Sequence, residues 1–289
     1  MTALESTDLA EFQRPGRSHG LVDVLRKRYL LRLLVRKGTA TRYRNSALGW
    51  VWSYIKPLSQ YVIYYFIMGV ILGNTRNIDN FPVYLLSGVI AINFFNEAFS
   101  NATKSITDNK ALVKKIYLPR ELFPVASVIV AFIHFLPQVV VLIAVALLSG
   151  WLPSLATLGC FVLGVVLLTI LATGLGLILG AVNVAYRDAQ NLVEIIRMFA
   201  TWTAPVLYSW QHVAAHLPGW AAELYMLNPL TSAVELFHRA FWYTGASENM
   251  AMPPELWRNV FISLGFSAVV LVIGQFVFRK LERGFAQDL

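Results

Sequence analysis

Long apolar runs separated by short polar connections set the rhythm of this chain. A helix that crosses the roughly 30 Å hydrocarbon layer of a bilayer needs about 20 mostly apolar residues. Runs of that length fall near residues 51–72, 82–103, 123–148, 155–183, 192–210 and 258–278. The pattern predicts an all-α polytopic membrane protein with six transmembrane helices in a domain over 50–289, after a polar tail over 1–20. The fifth run has the least definite limits. That tail lacks the apolar core of a secretory signal, which places the amino terminus in the cytoplasm.

Between the fifth and sixth runs lie more than forty residues, Trp210 to Trp257, rich in Trp, Tyr and Phe and too long for a plain loop. Within them NPLTSAVELFHRAFWYTG has the grammar of a capped helix, with Asn228 as N-cap, Pro229 in the first turn and Gly245 as the stop. Its Leu230, Val234, Phe237 and Phe241 share one face. The expectation is of short helices that dip into the outer leaflet or lie on it. In the fourth run, Ala172, Gly176 and Gly180 form a stripe of small residues that lets another helix approach closely.

Composition agrees with the bilayer: of 289 residues 57% are hydrophobic and 14% charged, far from the usage of soluble domains. The single cysteine, Cys160, excludes an intrachain disulfide framework or a cysteine-based metal site and reads as a small buried hydrophobe. The net charge of +8 suggests nucleic acid less than it reports topology. Ten Lys and Arg precede Trp50, five lie from Lys104 to Arg120, two are Arg187 and Arg197, and three follow from Arg279. The intervening connections hold only Arg76, Arg239 and Arg258. The asymmetry predicts a cytoplasmic face with both termini inside.

Some polar residues fall where lipid would reject them. Asn93, Asn96, Glu97, Ser100, Asn101 and Lys104 line one helical face in the second run. Uncompensated burial of amides and carboxylates costs several kcal/mol, so this face meets a partner helix or a water-filled pathway, or its last turns simply emerge into water. In the first run Trp50, Tyr54, Tyr61 and Tyr65 share a face. Such a stripe either packs or offers flat rings and hydroxyls to a sugar chain. Lys56 reads as a snorkelling cation beside Pro57, and Glu194 can pair with Arg197 along the fifth helix. His134, Pro137 and Gln138 form an intramembrane polar cluster satisfied between helices or acting as a proton relay. His212 and His216 have metal-like spacing, but HVAAH lacks the glutamate of HExxH and no third ligand follows, which favours interfacial histidines. No phosphate-binding G-x-x-x-x-G-K-[ST] loop occurs, so ATP is not bound here through that motif.

Four stretches carry a family resemblance: RYRNSALGWVWSYIKPL from Arg42 to Leu58, NKALVKKIYLPRELFP from Asn109 to Pro124, NVAYRDAQNLVEI from Asn183 to Ile195, and LYMLNPLTSAVELFHRAF from Leu224 to Phe241. In these and in the order of its features, the chain resembles the membrane subunits of ABC-type polysaccharide exporters, which move O-antigen, teichoic acid or galactan chains on lipid carriers. The resemblance implies a permease of the bacterial cytoplasmic membrane. Two copies would pair around one pathway above two separate ATPase subunits that hold ATP and Mg, with no cofactor on this chain and no nucleic-acid partner. It further implies an interface helix on the inner membrane surface over 21–49, where Arg28, Arg32 and Arg36 form a basic stripe suited to anionic headgroups of membrane lipids. Leu30 and Leu34 fall off the apolar side, so part of that helix packs on protein instead.

By the same resemblance, residues about 106–116 are a coupling helix gripped by the ATPase, with Asn109, Lys110, Leu112, Lys114, Lys115 and Ile116 as its contact residues. The outer segment, about 211–245, is a re-entrant gate around Pro218, Asn228 and Pro229. Trp50, Tyr54, Tyr61, Tyr65, Asn93 and Glu97 then line the substrate channel. Two competing readings are an export permease of the same architecture for a drug or plain lipid, and a membrane enzyme acting on lipid-linked sugars. The enzyme would need paired acidic residues for a metal-bound diphosphate, whereas Asp79, Asp108, Asp188 and Glu194 are scattered. A motor-free secondary transporter would typically show an internal repeat, and none is evident.

Overall fold

A computed structural model describes residues 20–42, 46–115, 118–186, 188–243 and 252–285. The tail to residue 19, Ile116 of the expected coupling helix, Arg187 and the expected helix stop Gly245 lie outside the described residues. Among the described residues every regular element is helical. In chain order α1 is Leu21–Arg26, α2 Arg28–Arg42, α3 Trp52–Tyr64, α4 Asn74–Asn77, α5 Phe81–Asp108, α6 Lys110–Lys115 and α7 Leu122–Leu148. There follow α8 Leu155–Ala185, α9 Ala189–Trp202, α10 Trp210–His216, α11 Gly219–Met226, α12 Pro229–Phe241 and α13 Leu256–Leu281.

Four of these, α5, α7, α8 and α13, are long and apolar enough to cross a membrane. They match four of the six runs. The first run is helical too, but α3 has thirteen residues and passes into seven residues of wider π-type turns, Tyr65–Ile71. Pro57 inside α3 removes a backbone donor from the ladder. The fifth run is only partly helical: α9 has fourteen residues and stops at Trp202. Residues 203–209 are not helical, because Pro205 has no N–H to give and biases the residue before it away from helix. Local signals set other ends. Ser154 and Thr157 form a reciprocal capping box at the start of α8, and Gly150 takes φ +83° in the turn before it.

The bundle is built around α5. Of its most apolar stretch 89% is buried, against 50% for α7 and α8 and 28% for α13. It is enclosed by α7, α8, α12 and α9, while α13 packs outside against α8 and α12. Its core face carries Tyr84, Phe94, Phe95 and Phe99, with Phe94 against Phe135 of α7 at 4.7 Å between ring centroids.

Helices come close where side chains are small. A Cβ on Gly176 would strike the side chain of Ala102, and one on Gly180 would stand 3.3 Å from the Ala102 carbonyl oxygen. The Ala172–Gly176–Gly180 stripe therefore seats α8 on α5. A second seam was not evident in the sequence: a Cβ on Gly174 would lie 2.8 Å from the backbone N of Leu271, and one on Gly274 would strike the Gly174 carbonyl. With no hydrophobic drive between helices in lipid, such close packing holds α13 on α8.

Gly174→Val should overpack this seam and cost roughly 1–3 kcal/mol, seen as a lower unfolding temperature in detergent. Gly159→Ala, where a Cβ meets nothing within 4 Å, should leave it unchanged.

Candidate functional site

The polar face of α5 meets both of its expected surroundings, partner helices and an open cavity. Asn93 Nδ2 donates to Gln60 Oε1 of α3 at 3.0 Å, and Asn96 Nδ2 to Thr201 Oγ1 of α9 at 3.3 Å. Glu97 is ion-paired with Arg42 at the end of α2. Between these contacts lies a cavity of about 480 Å³, walled also by Lys56 of α3, His134 and Gln138 of α7, and Arg197 of α9. Arg197 turns into this space, and no ion pair joins it to Glu194 among the described residues. Glu97 lies eleven residues before the end of α5, roughly 16 Å along the axis at about 1.5 Å per residue. The cavity is thus well inside the bundle. His134 is held by Ser53 Oγ at 3.3 Å and by the Trp50 ring at 5.1 Å.

A second cavity of about 470 Å³ opens between α2, α5 and α7 beside Lys37, Ser105, Asp108 and Asn109. It shares Arg42 and Asn101 with the first. Together they make a polar seam from the end of α5 into the bundle, crossed by the Arg42–Glu97 pair.

The aromatic stripe divides. Trp50 and Tyr54 are 45% and 36% exposed, whereas Tyr61 and Tyr65 stack at 6.0 Å and pack against the core. Beyond them α3 and its π-type turns expose Val62, Ile63, Phe66, Ile67, Val70 and Ile71, and α9 exposes Leu192, Ile195, Met198, Phe199 and Trp202. These are apolar faces without a partner in the single chain.

At the basic end, Arg28, Arg32 and Arg36 stand exposed on α2, while Leu34 packs on protein and a Cβ on Gly38 would lie 2.9 Å from Val130 of α7. Lys37 Nζ donates to Asn109 Oδ1 at 2.9 Å, and Asn109 Nδ2 to Ser105 O at 2.8 Å. Asn109 therefore pins α2 to the elbow between α5 and α6. In α6 the residues sort by side: Val113 is buried and Leu112 half-buried against Ile106, Phe123, Phe278 and Phe285, while Lys110, Lys114 and Lys115 are exposed.

At the opposite end Pro218 precedes α11, and the Asn228 side chain accepts from Leu230 N at 3.0 Å with Pro229 as the first helical residue of α12. Asn228 Nδ2 also reaches Thr203 Oγ1 at 3.3 Å, which ties α12 to the end of α9. Where the sequence suggested one apolar face, α12 is buried on nearly all sides between α5, α8 and α13, with Thr231, Ser232, Glu235 and His238 inside. His238 stacks on Tyr84 at 4.0 Å between centroids and lies 3.6 Å from Glu235, to which Tyr243 donates at 3.3 Å. The Tyr84 hydroxyl lies 2.8 Å from both Pro205 O and Tyr208 O, with its one proton to give to either carbonyl. Glu235 and His238 escaped sequence reasoning because a polar face on a short capped helix reads as solvent-facing, and Tyr84 because its partners on α12 and in the 203–209 segment lie more than a hundred residues along the chain. The rings of His212 and His216 on α10 lie 4.5 Å apart, tilted at 38° to each other.

An apolar helical bundle with long candidate spans and a charged polar seam through its interior is the architecture of a membrane permease. The chain belongs to the ABC-2 type transporter family, whose model matches residues 29–242. It is similar to the O-antigen export system permease protein RfbA of Klebsiella pneumoniae, with 27% identity over 260 residues, 90% of this chain and 95% of that protein. It is also similar to the permease protein of the same name from Myxococcus xanthus, 25% identical over 74% of this chain and 81% of that one. To the polysialic acid transport protein KpsM of Escherichia coli it is 24% identical over 84% of this chain and 89% of that protein.

Two outcomes test this geometry. Tyr84→Phe should speed amide exchange across residues 203–209 by the equivalent of about 1–3 kcal/mol, the cost of leaving buried acceptors unmet. Glu97→Gln should lower stability by about 1–3 kcal/mol through the loss of Arg42's carboxylate partner, and exchange of the two charges between positions 42 and 97 should restore part of it.

Proposed function

We propose that this chain is the membrane subunit of an ATP-driven exporter that carries a lipid-linked polysaccharide across the bacterial cytoplasmic membrane. The observation that carries the reading is the polar seam inside an otherwise apolar bundle, which joins an exposed basic element at one end to amide, hydroxyl and aromatic groups within. Hydroxyl-rich cargo needs such a lining, since every polar group it brings into the membrane must find a partner. The export names carried by the relatives point the same way.

In this reading the π-extended α3 and the short α9 complete six spans with α5, α7, α8 and α13, and both termini face the cytoplasm. Their exposed apolar faces suit a second copy of the chain, so that the pathway lies between two copies and Trp50 and Tyr54 reach the glycan. The half-buried Tyr61 and Tyr65 would reach it only when α3 moves. Helices α1 and α2 are the interface element, and the exposed Arg28, Arg32 and Arg36 of α2 meet anionic lipid headgroups. The α10 to α12 region is the re-entrant outer gate, anchored through Asn228 to the end of α9.

The motor is a separate ATPase subunit, present in two copies, that holds ATP and Mg. It grips the exposed Lys110, Lys114 and Lys115 of α6. Force passes inward because Val113 and Leu112 root α6 in the packed basic end, and the Lys37–Asn109 bond carries α2 along with it. Movement of α5 then strains the Arg42–Glu97 pair that crosses the seam.

Reconstitution of the chain with its ATPase in proteoliposomes tests this. Lys114→Glu with Lys115→Glu should leave ATP hydrolysis running while glycan export falls at least tenfold. Export retained in that double variant would overturn the coupling assignment, and a complex stimulated only by small hydrophobic compounds would overturn the polysaccharide reading.

A further inference from the structure

We infer that Phe285, held by Arg120, is a positioning residue that locks α6 to the end of α13, so that α13 moves with the coupling element. The inference rests on the grip of an ATPase on α6 and adds to it a second carrier of movement, separate from α5.

With only six residues, α6 is too short to keep a helical shape or a fixed pose by itself. Its pose is set by what lies under its apolar side and by what holds its two ends. Under it is the small apolar cluster that takes in Val113, with Ile106 of α5, Phe123 of α7, Val184 of α8 and Phe278 of α13. Phe285 joins that cluster from beyond α13, after a single 3-10 turn over Glu282–Gly284, and is 1% exposed.

The Phe285 ring is held on two sides. Phe278 meets it edge-on, with 5.4 Å between centroids and 87° between planes. The Arg120 guanidinium lies over it, 5.4 Å from the centroid, a cation–π contact that strengthens away from water. Arg120 also donates from Nη1 to the Glu282 carbonyl, which fastens the turn itself. The next residue, the buried Glu121, accepts from Gln275 Nε2 of α13 at 3.2 Å. Both residues belong to the segment that leaves α6 for α7. At its entry α6 is thus held by Asn109, which is bonded to Lys37 of α2 and Ser105 of α5. At its exit it is held by two residues bonded to α13 and the turn after it.

The 26 residues of α13 span roughly 39 Å at about 1.5 Å per residue. Near its other end Ser263 Oγ lies 2.8 Å from Ser232 Oγ of α12, and Arg258 Nη2 lies 3.5 Å from Glu223 Oε1 of α11. A helix fastened at both ends passes a displacement along as a body. Loss of the Phe285 ring leaves α6 joined to α5 and loosened from α13, so hydrolysis continues while less of its movement reaches α11 and α12.

The test compares Phe285→Ala, Phe285→Leu and Arg120→Gln with the wild-type chain in the complete transporter. Two quantities are read: glycan exported per ATP hydrolysed in proteoliposomes, and amide exchange across residues 110–115 in nanodiscs. Phe285→Ala should lower the export-to-hydrolysis ratio about fivefold while hydrolysis continues, and should speed exchange across 110–115 about tenfold. Phe285→Leu, which keeps an apolar group in place, should recover much of the ratio. Arg120→Gln loses both the cation over the ring and its fork, and should fall with Phe285→Ala. Leu142→Ala, in the main core on α7, measures plain destabilisation: its unfolding temperature should drop with the ratio unchanged. If Phe285→Ala does not fold, Arg120→Gln carries the same two readings. An unchanged ratio in both variants, or a drop matched by Leu142→Ala, would overturn the inference and leave Phe285 a structural anchor. Export lost in the Lys114→Glu, Lys115→Glu double variant but fully coupled in Phe285→Ala and Arg120→Gln would remove this inference alone. Coupled export retained in the lysine double variant would remove the ATPase grip on α6, and the role of Phe285 with it.

Discussion

A helix that carries amides, a carboxylate and a lysine along one face cannot meet lipid, and the enclosure of α5 follows from that constraint. The surrounding helices supply what hydrocarbon cannot: Gln60 from α3, Thr201 from α9 and Arg42 from α2 each answer one polar group of α5. Close packing on the other side depends on small residues, because Gly176 and Gly180 let the α8 backbone settle against Ala102 and Thr103. One helix thus has an apolar side held by glycine contacts and a polar side that leaves space. The space is the seam.

The same helix connects the two ends of the molecule. Its last turn meets α6 through Asn109, which bonds both Lys37 of α2 and Ser105 of α5. Its first turns place Tyr84 beneath the non-helical 203–209 segment and against His238 of α12. A displacement applied at the exposed lysines of α6 therefore has a packed route to the opposite end. Cores and helix contacts of this kind resist continuous deformation and pass between discrete arrangements, which suits a gate.

Much of this was legible in the sequence, for reasons that differ from one element to another. Length and apolarity located α5, α7, α8 and α13 because those properties do not depend on neighbours. Asn228 and Pro229 marked the start of α12 because caps are local chemistry. The π-type turns after α3 and the early end of α9 were not legible: Pro57 and Pro205 signal disruption, but apolar runs carry no mark of how far a ladder continues past it. The inward polar face of α12 stayed hidden since burial is decided by α5, α8 and α13 together, and Glu235 and His238 look like ordinary surface residues on a short helix. Arg197 was misjudged for a similar reason, as its spacing from Glu194 allows a local pair while its real surroundings come from α3, α5 and α7. The Gly174–Gly274 contact joins residues a hundred positions apart, and no spacing rule reaches that far.

The central claim is that glycan moves along the polar face of α5. Photo-reactive residues placed singly at Asn93 and Gln60 on the seam, and at Val269 on the exposed face of α13, would be irradiated during ATP-driven export by the reconstituted complex. Adducts with the glycan at the two seam positions, dependent on ATP and absent at position 269, are the expected result. Adducts at position 269 with none at the seam positions would contradict the account.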